Sequence, residues 1–138
     1  MIYSYRKRID SLRTVELELP VDGTQRLGTE LATVDGVTYV YVPDTAALPT
    51  QSSELAPEVV TMTPALKKAI KAESPHVRLI NARVVERIRA RYSIDDQLGL
   101  LRTAQTTGGA TDPEVVAYGA HVESCRAWGR QEKAALGL

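Results

Sequence analysis

A chain of 138 residues can bury one hydrophobic core without disulfides or metals, and its 43% hydrophobic and 25% charged residues are ordinary for a globular protein. Basic and acidic side chains are equal in number, 17 of each, so net charge gives the molecule no pull towards nucleic acid or an anionic membrane. The single cysteine, Cys125, excludes an intramolecular disulfide, and no apolar run approaches the roughly 20 residues that span a bilayer.

The first 20 residues carry weak and then strong strand patterns. Residues 1–13 alternate only loosely between apolar and polar, which predicts an edge strand or an extended arm. Residues 14–19 alternate valine and leucine with two glutamates, as a half-buried strand does, and Pro20 ends the pattern.

A hairpin is predicted next. Residues 28–34 and 37–42 flank Asp35-Gly36, a two-residue loop that favours a type I′ turn because both of its residues must take positive φ. With the strand before it, this hairpin predicts a three-stranded antiparallel meander over residues 14–42.

Both faces of the predicted hairpin are apolar. Pairing of Val34 with Val37 places Leu31, Thr33, Thr38, Val40 and Val42 on one face and Ala32, Val34, Val37, Tyr39 and Tyr41 on the other. We therefore expect one face to cover the helices and the other to meet another chain. Tyr39 and Tyr41 are the candidate partner contacts on the sheet.

Residues 43–62 lack any apolar period. Pro43, Pro49 and Pro57 recur among small polar residues, which predicts an extended linker that is semi-stiff where proline fixes φ.

The second half of the chain is predicted to be helical. Three helices begin with a capping residue followed by proline, and a fourth begins at Ser93 without a proline. The predicted caps are Thr63, Ser74, Ser93 and Asp112, and the predicted helices are 64–73, 75–92, 94–105 and 113–136. Gly119 and Gly129 interrupt the last helix and indicate close packing or a bend, and Gly137 is a fitting stop.

The stretch from Pro75 to Gln105 contains two apolar series that are out of register with each other. The first is Val77, Ile80, Val84, Ile88 and Tyr92, and the second is Ile94, Leu98, Leu101 and Gln105. We expect two helices that meet at a tight bend near Ser93, and whose apolar stripes need a partner.

The predicted fold class is therefore α+β. An antiparallel β domain spans residues 1–42, the linker spans 43–62, and a unit of about four helices spans 63–138. The start of the chain lacks the apolar core of a secretory signal, so a cytoplasmic site of synthesis is expected.

Catalytic and metal-binding patterns are weak. His121 and Cys125 are four residues apart on one helix face, but two ligands fall short of the four that structural zinc takes. Ser124 has no nucleophile elbow around it, and no glycine-rich phosphate loop follows a strand. We predict a protein that is not an enzyme and that needs no metal or cofactor.

A basic stripe runs along the second predicted helix. Arg83, Arg87 and Arg91 recur every four residues and therefore share one face. A nucleic-acid-binding helix can look like this, but the neutral total charge favours a solvated face or a protein contact instead. These three arginines are the candidate partner contacts of the helical unit.

The segment from Ile88 to Arg102, IRARYSIDDQLGLLR, resembles a segment of small bacteriophage tail proteins, which include tail-fibre assembly proteins and virion-attached tail or baseplate components. In these proteins an amphipathic helix leads to an aromatic residue, acidic residues and a Leu-Leu-Arg ending. The closing stretch from Tyr118 to Leu138 is similar to their C-terminal helix, and the proline-dotted stretch after Val42 also fits.

This resemblance implies a structural or adaptor protein at the baseplate or tail-fibre region, located in the virion and made in the host cytoplasm. A tail-fibre assembly chaperone that is absent from the finished particle is the alternative. The expected partners are other tail or fibre proteins, with self-association or symmetric assembly, and without a membrane.

Overall fold

A computed structural model describes residues 1–138 and confirms the α+β fold, with an N-terminal strand region followed by four α-helices. The strands are β1 Ile2–Tyr5, β2 Arg8–Ile9, β3 Thr14–Val15, β4 Val21–Asp22, β5 Gln25–Arg26, β6 Thr29–Val34, β7 Val37–Tyr41 and β8 Glu58–Val59. The helices are α1 Pro64–Glu73, α2 Pro75–Arg91, α3 Ile94–Ala104 and α4 Pro113–Ala134, with a short 3₁₀ helix at Gly109–Thr111.

The chain forms two compact units. The sheet unit contains Met1–Val77 together with Ala135–Leu138, and the helical unit contains Arg78–Ala134. These boundaries differ from the predicted division at residues 42 and 62.

The sheet has four antiparallel strands in the order β6-β7-β1-β8. Its β6–β7 hairpin confirms the predicted turn, since Val34 pairs with Val37 and both Asp35 and Gly36 have positive φ, 50° and 76°. Two-residue loops of this kind match the right-handed twist of the strands that they join.

The predicted meander over residues 14–42 is wrong in its first strand. Only Thr14–Val15 is extended in a ladder, and it pairs with β2 and not with the hairpin. The backbone of Glu18 is instead satisfied by a side chain: its N–H donates to Gln51 Oε1 at 2.8 Å, and its carbonyl accepts from Gln51 Nε2 at 2.9 Å. Strand β1 lies in the stretch that was predicted to be an edge strand or an extended arm, and it is instead an inner strand between β7 and β8.

The predicted assignment of the sheet faces is wrong for Leu31. The β6–β7 register shifts between Glu30 and Ala32, so the alternation is broken and Leu31 joins the same buried cluster as Ala32. This first cluster packs the sheet against α1 and the end of the chain, and contains Ile2, Leu31, Ala32, Ile70, Val77 and Leu138.

The other apolar face of the sheet is also covered, so the predicted free face for another chain is not present. A second buried cluster contains Tyr5, Leu17, Val40, Val42 and Leu55, with Leu19, Ala46 and Leu48 packed against it. This face is covered by the residues that follow β3 and by the proline-containing segment 43–62.

Residues 43–62 are therefore part of the sheet unit's core and edge. Leu55 is only 6% exposed, Glu58–Val59 pair with β1, and Val60 and Met62 pack against the first cluster. Their apolar side chains are irregularly spaced and form no period, which is why the pattern indicated an extended linker.

The four predicted helices are confirmed, each within two residues at its ends. Their predicted caps are confirmed as well, because each side chain accepts a backbone N–H from the first turn, which otherwise has no partner in the helix. Thr63 accepts from Leu66 at 3.2 Å, Ser74 from Val77 at 3.4 Å, Ser93 from Asp96 at 3.1 Å and Asp112 from Glu114 at 2.9 Å.

Helices α2 and α4 approach closely at one glycine. A Cβ atom at Gly129 would lie 2.6 Å from Val84 Cγ2, whereas one at Gly119 would meet nothing within 4 Å. Close packing is thus confirmed at Gly129, and Gly119 has no such contact.

Candidate functional site

The helical unit leaves the apolar stripe of α3 exposed. Ile94, Leu98 and Leu101 are 54%, 57% and 51% exposed, whereas Leu100 and Ala104, on another side of the same helix, are half-buried. The sequence predicted that this stripe needs a partner, and no element of this unit covers it.

A groove between α2 and α3 extends this exposed stripe. The α2–α3 groove has a volume of about 300 Å³ and is lined by Val85, Ile88, Arg89, Ile94, Gln97, Leu98 and Leu101. Val85 is itself 43% exposed on the α2 side. Contiguous exposed apolar surface of this kind marks binding sites more often than scattered surface leucines do.

Hydrogen bonds to α4 and to the bend between α2 and α3 hold one wall of the groove in place. Tyr118 on α4 donates its hydroxyl to Gln97 Oε1 at 3.1 Å, and Gln97 Nε2 donates to the carbonyl of Tyr92 at 3.1 Å. The Tyr92 and Tyr118 rings also pack edge to face, with centroids 5.1 Å apart. Gln97 is therefore fixed by α4 and by the bend that follows α2, which gives the groove a preformed shape.

The N-terminus of α3 is fixed by a reciprocal capping box. The Ser93 hydroxyl accepts the Asp96 N–H, and the Asp96 carboxylate accepts both the Ser93 hydroxyl at 2.7 Å and the Ser93 N–H at 2.9 Å. The hydrogen bond from the Ser93 hydroxyl has the largest effect on the pKa of Asp96, and the one from the Ser93 N–H adds to it. Both lower this pKa below its ordinary value.

The capping box predicts that the start of α3 loosens in acid. The folded-state pKa of Asp96 is below the unfolded value of about 3.9, so its stabilising contribution is present above that pH and is lost as the pH falls through the lower pKa. Carboxyl ¹³C shifts measured against pH should show this low midpoint. The Ser93→Ala variant should raise it, and equal midpoints in the two proteins would contradict the assignment.

The predicted basic stripe is exposed but makes contacts inside the helical unit. The guanidinium of Arg87 lies 3.9 Å from the centre of the Trp128 ring, and that of Arg91 lies 5.5 Å from the centre of the Tyr92 ring. Arg83 lines a shallow cavity with Trp128. Cation–π contacts within the helical unit thus explain the positions of two of the three arginines, and no partner protein is needed to explain them.

The five predicted contact residues do not form one surface in one unit. The arginines belong to the helical unit, whereas Tyr39 and Tyr41 lie in the sheet unit, half-buried against its first core cluster. Sequence reasoning missed Val85, Arg89 and Gln97 as groove residues. The available signal was the apolar stripe of α3, whose exposure depends on how α2 and α4 pack.

His121 and Cys125 lie side by side on α4, with 3.5 Å between Cys125 Sγ and His121 Nε2. The same ring nitrogen lies 3.2 Å from the carbonyl oxygen of Arg87. No group of three or more His, Cys, Asp or Glu side chains is placed to hold a metal ion.

None of the helices combines the length and the apolar composition that crossing a bilayer requires. Comparison of the chain with models of protein families, with curated proteins and with solved structures gives no match.

Proposed function

We propose that this chain is a non-enzymatic structural adaptor of a bacteriophage tail, at the baseplate or tail-fibre region, which works by binding other tail or fibre proteins. The observation that carries the proposal is the exposed α2–α3 groove. Most of its lining falls between Ile88 and Arg102, the segment whose sequence resembles small tail proteins.

The groove has the physical character of a protein contact. Burial of apolar surface contributes about 25 cal/mol per Å². A partner that covered the exposed parts of Ile94, Leu98 and Leu101 would therefore gain favourable free energy. Binding energy concentrates in a few well-packed side chains near the centre of an interface. Leu98, in the middle of the stripe, is the best-placed anchor.

Purified particles test the proposed location. We expect protein identification by mass spectrometry to find this chain in intact virions, in a fixed ratio to other tail proteins. Its absence from them would overturn the proposal. If co-expression of the chain also raised the yield of soluble fibre protein, that absence would favour the assembly chaperone.

A single substitution tests the proposed surface. Leu98→Asp should weaken capture of tail or fibre proteins at least about tenfold, which corresponds to about 1.4 kcal/mol, because it places a charge in the apolar contact. Pull-down titration with purified tail proteins measures the loss. Leu12→Asp is the matched control, since Leu12 is 94% exposed in the sheet unit, and it should bind as the unaltered chain does. Equal losses in both variants would contradict the assignment of the surface.

A further inference from the structure

We infer that the α3 stripe binds the α3 stripe of a second copy of this chain, with the two helices antiparallel across a two-fold axis. The inference rests on the proposed protein-binding role and names one tail protein that this surface binds, which is another copy of the chain itself. It follows from the self-complementary arrangement of apolar and charged side chains along α3.

The apolar residues of α3 lie opposite the apolar residues of a second copy when the second helix is reversed. Ile94, Leu98 and Leu101 are spaced by four and then three residues, so they form one continuous row. In an antiparallel pair centred near Leu98, the two Leu98 side chains meet at the axis, and Ile94 of each copy lies towards Leu101 of the other. All three side chains are more than half exposed, so nothing has to move before they meet.

The charges beside this row are placed to pair in the same arrangement. Asp95 and Arg102 are both exposed, and they are seven residues apart, so they lie on the same flank of the stripe. A two-fold axis perpendicular to two antiparallel helices brings equivalent flanks together in reversed order. Asp95 of each copy then lies opposite Arg102 of the other, which forms two symmetric ion pairs.

Neither charge is used within the chain. Asp95 and Arg102 form no salt bridge, whereas Asp96, the other acid of the first turn, is held in the capping box. An unrelated partner helix would not require acid and base to be spaced in this self-complementary way.

The expected self-association is weak and depends on concentration. One helical stripe from each copy forms a smaller contact than the roughly 1,200–2,000 Å² of a standard interface. We therefore expect a dimer with a dissociation constant in the micromolar range in solution, and tighter pairing where an assembly holds two copies close together.

Sedimentation equilibrium of the isolated chain tests the inference without any tail protein. The unaltered chain should show a monomer–dimer equilibrium, and Leu98→Asp and Leu101→Asp should each abolish it. Asp95→Arg and Arg102→Asp should each weaken dimerisation about tenfold, because each places two like-charged pairs across the axis. An equimolar mixture of these two variants should dimerise again, since every cross-pair is then opposite in charge.

Several outcomes would overturn the inference. A monomer at several hundred micromolar would do so, as would a dimer that is unaffected by Leu98→Asp and Leu101→Asp in variants with unchanged circular dichroism. If the equimolar mixture of Asp95→Arg and Arg102→Asp did not dimerise, the antiparallel arrangement would be excluded. These results are independent of the particle analysis, so the dimer and the tail location can each fail alone.

Discussion

Replacing Ile70 with alanine should lower the free energy of unfolding of the sheet unit by about 2–5 kcal/mol. Ile70 on α1 is completely buried and packs in the cluster that contains Leu31, Val77 and Leu138. Removal of its side chain loses apolar burial and leaves a cavity that a sheet backed by a second packed face cannot readily fill. Against a total stability of about 5–15 kcal/mol for a domain, the loss is large.

Native-state hydrogen exchange of the β6 and β7 amides measures this loss in the unit concerned. Ile70→Val, which removes one methylene and keeps the branched shape, should cost only about 0.5–1.5 kcal/mol. Leu12→Ala, at a side chain that is 94% exposed, should change stability by less than about 0.5 kcal/mol. A loss at Ile70→Ala no greater than that at Leu12→Ala would contradict the described core.

Replacing Gly129 with leucine should destabilise the helical unit by about 3 kcal/mol or more. Even the Cβ atom would approach Val84 Cγ2 to 2.6 Å, and valine in a helix has one strongly preferred rotamer, so it cannot turn away freely. The cost of overpacking, typically about 1–3 kcal/mol, applies to the first carbon alone, and leucine adds three more. The gain in helix propensity over glycine, about 1 kcal/mol, is too small to offset it.

Urea unfolding followed by the fluorescence of Trp128, the neighbouring residue and the only tryptophan, measures this change. Gly119→Leu is the matched control on the same helix. Because nothing lies within 4 Å of a Cβ atom at Gly119, that variant should be neutral or more stable by up to about 1 kcal/mol. If both variants unfolded at the same urea concentration, the close approach of α2 and α4 would be disproved.

The helices could be predicted from the sequence because their signals are local. Thr63-Pro64, Ser74-Pro75 and Asp112-Pro113 each place a cap and a proline next to each other, and Ser93 needs only Asp96 three residues on. Such pairs act over one turn, whatever the rest of the chain does. Their geometry in the structure follows the sequence within two residues.

The sheet was predicted less well because its decisive contacts are distant in sequence. Gln51 satisfies the backbone of Glu18 across 33 residues and so replaces a strand partner. The register shift between Glu30 and Ala32 moves Leu31 to the opposite face of the sheet, and the alternation of residue types along the strand gives no sign of this shift. Leu55, in a stretch without any period, completes a core that the hairpin alone leaves open.

The candidate surface was predictable in part. The spacing of Ile94, Leu98 and Leu101 indicated a stripe in need of a partner, but not that it would stay uncovered. That outcome depends on α4, which packs against other side chains of α3, through Tyr118 and Gln97 among others. Tyr39 and Tyr41 were predicted to contact a partner because their face of the hairpin is apolar, yet both pack against a core cluster.

The sheet unit is discontinuous along the chain, since Ala135–Leu138 belong to it and the 57 residues of Arg78–Ala134 form the other unit. Leu138 is one of the buried members of its first core cluster. On the ribosome, that cluster therefore stays incomplete until Leu138 has left the exit tunnel. The strands therefore expose apolar side chains during synthesis, whereas the helical unit is one continuous segment and can form its own internal contacts first.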